Sequence, residues 1–181
     1  MVHFFYNIND QIKRAEKLYS LYGNDILRDK KCASLLEELN TAIEDSRKLM
    51  KELGVVGSCS ACAGEKPGGC CYFGIESCYT DMLLLINMML GVKIPGQRKL
   101  VKNCLFVGEQ GCRLKARFKT CIHHLCPQIK DSLKEYDLFR LRATASHEIN
   151  TGLRTESAIR DMIRSNYNTS HESSIPEDST E

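Results

Sequence analysis

The chain has 181 residues, with 25 Lys and Arg against 23 Asp and Glu for a formal charge of +2, 43% apolar residues, four prolines, no tryptophan and ten cysteines. That length suits one domain, or one core with an appendage, and the apolar fraction excludes disorder throughout. Near-neutral charge excludes a globally electrostatic binder of nucleic acid or membrane and leaves room only for a local patch.

The opening apolar run is broken at once by Asn7, Asn9, Asp10 and Gln11, so no signal peptide is read there. The longest apolar stretch, Met82 to Leu90, contains Asn87 and is less than half of the roughly 20 residues a spanning helix needs. The expectation is a soluble, cytoplasmic protein that does not enter the membrane. In a reducing compartment, a cysteine-dense chain more often binds metal or carries reactive thiols than forms disulfides.

Along the chain, Ile8, Ile12, Ala15, Tyr19 and Tyr22 line one face of a first helix, which Gly23-Asn24 is expected to end. Leu35, Leu36, Leu39, Ile43, Leu49, Met50 and Leu53 mark a second, closed by Gly54, and the two are expected to pair antiparallel. From Gly54 to Cys78 the composition turns to Gly, Ser and Cys, which predicts a loop shaped by something other than a core. Thr80-Asp81 then caps a buried helix over 82–90 ending at Gly91, placed at the centre of the fold. Residues 104–114, CLFVGEQGCRL, read as a short hairpin with a cysteine opening each arm. Ile129, Leu133, Tyr136, Phe139 and Ala143 resume helical spacing, a weak break follows at Gly152, and a last helix runs near 155–167. The stretch 168–181 holds acids and no Lys or Arg, as a disordered tail does.

The cysteines fall in groups: Cys59-x2-Cys62, the doublet Cys70-Cys71, Cys104-x7-Cys112, and Cys121-x4-Cys126 followed by Pro127. A C-x2-C step lets two thiolates converge on one metal, and alone it also describes a redox pair. Adjacent cysteines project to opposite sides of the backbone, so the doublet suits two neighbouring centres or two irons of one cluster. Eight thiolates make two sets of four, which fits two structural zinc ions or two cubane clusters equally. Soft donors of this kind favour zinc, iron–sulfur or cuprous ions over calcium, magnesium or manganese.

The order of these motifs resembles the YkgJ-type cysteine-cluster family of zinc- or iron-chelating domains, over roughly residues 57–130. That family carries a CxxCxxCC motif and a later segment of the form GxCxFLxxxGxCxIYxxRPxxC, which Cys104, Phe106, Gly111, Cys112, Arg117 and Cys121 match. Seven residues, AGEKPGG, separate Cys62 from Cys70 where the family has two, Phe118 replaces a proline, and Cys78 and Cys126 are additional. The resemblance implies metal binding and supplies no reaction.

Between Lys93 and Lys119 eight basic residues face Glu109 alone, a local +7. Such a run either offsets thiolate charge or offers a landing surface for nucleic acid or an acidic redox partner. His123 and His124 sit between two candidate ligands, and Cys32 continues an apolar stripe as core packing. No phosphate-binding glycine loop, HExxH or GxSxG motif argues for an enzyme.

The sequence thus predicts a mainly α protein with a cysteine-rich metal-binding core, one short β-hairpin and flanking helices that brace it. Its parts are a helical pair over 1–56, a cysteine-cluster domain over 57–130, C-terminal helices over 131–167 on the same core, and the tail. The metal ligands are Cys59, Cys62, Cys70, Cys71, Cys104, Cys112, Cys121 and Cys126. The favoured cofactor is an iron–sulfur cluster used in electron transfer or cluster handling with a redox protein partner. The alternative is zinc in a module whose 93–119 face binds nucleic acid or an acidic protein.

Overall fold

The computed structural model describes residues 6–65 and 70–172, and these form a mainly helical fold with one two-stranded hairpin. Helix α1 (Ile8–Arg28) starts at Asn7, whose side chain accepts the Asn9 N–H at 3.0 Å. It does not stop at Gly23. The glycine is buried within the helix, and the fully buried Ile26 beyond it supplies apolar contact that outweighs the roughly 1 kcal/mol helix cost of glycine. The break comes instead at Asp29, an extended residue whose carboxylate accepts the Cys32 N–H at 2.8 Å and so caps α2 (Lys30–Glu52). The expected pairing of these helices is a minor contact: α1 packs chiefly on α4 (Asp81–Met89), and α2 on α7 (Glu135–Glu172).

Between α2 and α4, the glycine-rich stretch holds α3 (Val55–Glu65), where a loop was expected, and a 3-10 turn at Ile75–Cys78. Gly54 ends α2 at φ +71°, a left-handed conformation glycine adopts without strain, and α3 begins at once with Val55 buried. Helix α4 is capped as predicted, with the Thr80 hydroxyl accepting the Leu83 N–H at 3.2 Å. Leu84 and Leu85 are completely buried in a core shared with α1, α2 and α7, so the apolar helix does lie at the centre.

The hairpin is present and shorter than the motif suggested. β1 (Val107–Gly108) pairs antiparallel with β2 (Gly111–Cys112), with Val107 opposite Cys112. Short helices α5 (Lys119–His123) and α6 (Pro127–Ser132) follow, Pro127 opening the latter. The spacing from Ile129 to Ala143 is interrupted at Leu133, which is extended. Helix α7 then runs unbroken through Gly152, because α2 lies close there: a Cβ on Gly152 would sit 3.8 Å from Leu39 Cδ1. The Thr155 hydroxyl hydrogen-bonds to the Leu35 carbonyl at 3.2 Å, across the same contact. The helix continues to Glu172, into the stretch expected as a tail, and 173–181 lies outside the described residues. A second, smaller core joins Leu49, Val55, Leu125, Ile129 and Leu141.

Candidate functional site

The thiol-bearing elements hang on the helical frame by polar hooks. Asn87, fully buried in α4, uses its whole amide: Nδ2 donates to the carbonyls of Leu83 and Ala116 at 2.9 and 2.8 Å, and Oδ1 accepts the N–H groups of Lys115 and Ala116 at 2.8 and 3.1 Å. That fixes the chain between Cys112 and Cys121. Glu76, also buried, accepts the Gly74 N–H at 3.0 Å and pairs with Arg98. Burial raises its pKa, but Arg98 and the local amides outweigh it and the net shift is downward. Arg98 also donates to the Asn103 carbonyl at 2.5 Å, linking the 3-10 turn to the segment that enters the hairpin.

Cys59 and Cys62 are three residues apart on α3, hence on one helical face, and α3 packs against β2, which carries Cys112. Residues 66–69, between α3 and the doublet, lie outside the described residues. Cys71 accepts the Cys104 N–H on its carbonyl at 2.8 Å, and Tyr72 bridges to Asn103, so the doublet runs beside the entry to the hairpin. The Cys104 sulfur in turn accepts the Phe106 N–H at 3.5 Å. Cys121 lies on α5, and Cys126 is the residue just before α6. All ten cysteines are free thiols.

The thiols influence one another in two sets. Cys59 is pushed up by desolvation and then by Cys70, Cys126 and Cys62; Cys70 is pushed up by desolvation and then by Cys126 and Cys62. Cys71 is raised to about 12 by burial, then by Cys121 and Cys112, with smaller effects from Cys59 and Cys70. Cys121 is raised to about 11 by burial and Cys112, although a hydrogen bond from the buried Tyr79 hydroxyl opposes the shift. Cys104 is held far above the ordinary thiol range, chiefly by burial, with Cys112 and Cys121 adding to it. One neighbourhood is therefore Cys59, Cys62, Cys70 and Cys126. The other is Cys71, Cys104, Cys112 and Cys121, with Cys78 also acting on Cys121; Cys71 feels Cys59 and Cys70 as well, so the doublet links the two groups. A bound cation would invert this preference for the neutral thiol.

The neighbourhoods are not closed ligand sets. Among the described residues no three His, Cys, Asp or Glu side chains stand close enough to hold one ion. The donor chemistry fits a soft metal, while the spacing of the thiols is looser than coordination requires.

Two arginines flank the thiols. Arg117 lowers the pKa of both Cys59 and Cys121, and Arg47, whose own pKa is depressed by burial and by Arg117, lies in the field of Cys112. Behind them Glu148 of α7 is 1% exposed, 3.9 Å from Arg117, and pushed up by burial. Sequence reasoning missed Arg47 and Glu148. Glu148 had a signal, since it occupies the buried stripe of α7 between Ala145 and Thr151.

The basic run is not one continuous face. Arg98, Arg113, Lys115 and Arg117 are half-buried and directed inward: Arg113 donates to the carbonyls of Gln97 and Leu105, and Lys115 to Asn40 Oδ1 at 3.1 Å. Lys93, Lys99, Lys102 and Lys119 are exposed. His123 and His124 are exposed too, and line a groove with α6 and α7. Cys78 lies close enough to Cys121 to raise its pKa. Cys32 packs in the core, as its stripe predicted, with its pKa raised to about 11 by burial and by Asp29. No helix among the described residues is long and apolar enough to cross a membrane.

No protein-family model matches the chain, and neither a curated protein nor a solved structure does. The likeness to the cysteine-cluster family rests on the motif positions alone.

Proposed function

We propose that the chain is a metal-binding protein of the cysteine-cluster kind, with Cys59, Cys62, Cys70, Cys71, Cys104, Cys112, Cys121 and Cys126 as thiolate ligands of an iron–sulfur centre. The observation that supports this reading is the gathering of eight free thiols into two mutually influencing groups linked by the doublet, with Cys78 at the edge of one. Four thiolates are what a cubane cluster or a structural zinc requires. Such a centre, when bound, supplies one-electron chemistry, and its role is electron transfer to a redox protein partner or cluster handling in the cytoplasm. The chain's own residues hold the thiols in place and offset their charge: Asn87 anchors 115–116, Tyr79 supports Cys121, Arg117 lies beside both sets and Arg47 beside Cys112. Loading would draw each set inward, which couples metal binding to the positions of α3, the hairpin and α5.

Protein purified without oxygen should be brown, with broad charge-transfer absorbance that bleaches on reduction. A colourless protein holding stoichiometric zinc would reject the iron version. In that case the zinc-stabilised module is the better reading, and the exposed Lys93, Lys99 and Lys102 beside the 81% exposed Val101 are the surface to test for salt-dependent binding of nucleic acid or an acidic protein.

A further inference from the structure

We propose that the groove on the outer side of α5 is a binding site for a small phosphate-bearing anion. The groove has a volume of about 410 Å³, and Lys119 of α5, Lys130 of α6 and Arg142 of α7 line it together with His123 and His124, with no Asp or Glu among its lining residues. Three permanent cations from three separate helices thus converge on one concavity. Elsewhere on α7 three of the four other arginines have acidic partners: Arg140 with Asp137, Arg154 with Glu38 and Arg160 with Glu156. None of the ion pairs among the described residues includes Lys119, Lys130 or Arg142.

Like charges gathered without a counter-charge repel, and an anion seated among them removes that cost. The chemistry suits an oxyanion, and three cations match the multiple charge of a phosphate better than the single charge of a carboxylate. A guanidinium offers a planar fork matched to two oxyanion oxygens, the ammonium groups add point charge, and imidazole nitrogens add hydrogen-bonding groups. The volume lies in the roughly 300–1,000 Å³ range of small-molecule sites, and Leu125 and Ile149 give the groove an apolar part. The cations surround one hollow, which favours a small ligand over nucleic acid, whose backbone asks for an extended basic stripe.

None of the eight thiols is among the residues that line the groove. It is nonetheless made by the same turn of chain: α5 carries Cys121, and Cys126 immediately precedes α6. An occupant would therefore stiffen the segment that positions two of the eight thiols.

The test is titration of the full-length protein with inorganic pyrophosphate at constant pH and ionic strength, followed by NMR of the histidine rings. Saturable shifts are expected at His123 and His124 and not at His147, which lies on α7 outside the groove lining. The double variant Lys119→Gln/Arg142→Gln, at two exposed positions, should weaken binding at least about tenfold. Lys99→Gln/Lys102→Gln, which changes the net charge equally, should change it less than about twofold. The proposal is overturned by the absence of saturable shifts, by equal losses in the two double variants, or by a response to a single-stranded oligonucleotide without one to pyrophosphate.

Discussion

The helical frame and the thiol-bearing segments share one core and differ in what else holds them. In the frame, α1, α2, α4 and α7 bury Ile26, Leu39, Ile43, Leu84, Leu85 and Ile159 almost completely, and apolar burial suffices to define it. Outside it, α3, the 3-10 turn, the hairpin, α5 and α6 are short elements that add Phe106, Val107 and Leu114 to the same core and are joined to the frame by single polar side chains: Asn87, Glu76 and Arg98. The contrast teaches that the frame is defined by apolar burial alone, whereas the second region joins the same core through Phe106, Val107 and Leu114 and is aimed by its polar hooks.

Changes in the frame should be the most costly and indifferent to metal. Leu85→Ala removes a wholly buried side chain from the centre of α4 and should lower the free energy of unfolding by about 3–5 kcal/mol in urea titrations, equally in metal-free and metal-loaded protein. A smaller loss with metal present would mean that the two regions are not separable.

Asn87→Ala acts at the boundary. It leaves the amides of Lys115 and Ala116 and two carbonyls without their partner, a cost of about 2–4 kcal/mol. Hydrogen exchange should accelerate over 104–121 while α7 stays protected; uniform loss of protection would contradict the distinction.

A pH-dependent effect of about 1–2 kcal/mol is expected from Glu76→Gln. The Glu76 carboxylate is held below its ordinary range in the fold, so its contribution is present above that range and is lost as pH falls through the folded value. The stability curves of wild type and Glu76→Gln should therefore differ near neutrality and converge in acid. Parallel curves would show that the Arg98 pair contributes nothing.

The smallest effect belongs to Cys32→Ala. It should cost about 1 kcal/mol and leave metal content unchanged, since Cys32 lies in the α2 core away from both thiol sets.

Much of the frame was legible because it is written in periodicity. The stripe of α2, the Thr80 cap and the apolar run of α4 follow from helical spacing and capping chemistry, and the Gly-Glu-Gln-Gly turn located the hairpin. Local rules failed where tertiary contact overrode them. Gly23 and Gly152 read as breaks, yet each sits inside a helix, Gly152 where α2 approaches closely. The Gly, Ser and Cys residues after Gly54 read as a loop, yet Val55, buried beside Leu49 and Leu125, starts a helix. At the site, spacing singled out the eight thiols as candidates, and Cys70 and Cys71 respond chiefly to different neighbours. Spacing could not give the partners contributed by distant helices, Arg47 from α2 and Glu148 from α7, because nothing in a motif records which helix packs behind it.

The central claim is that the eight thiols bind metal, and quantifying iron, zinc and acid-labile sulfide in protein isolated without oxygen, with electron paramagnetic resonance on the same sample, tests it most directly. Iron and sulfide in matching amounts, with a paramagnetic signal on reduction that is lost in Cys59→Ser and Cys112→Ser, is the predicted result. Protein that is folded, fully reduced and free of both iron and zinc would contradict it.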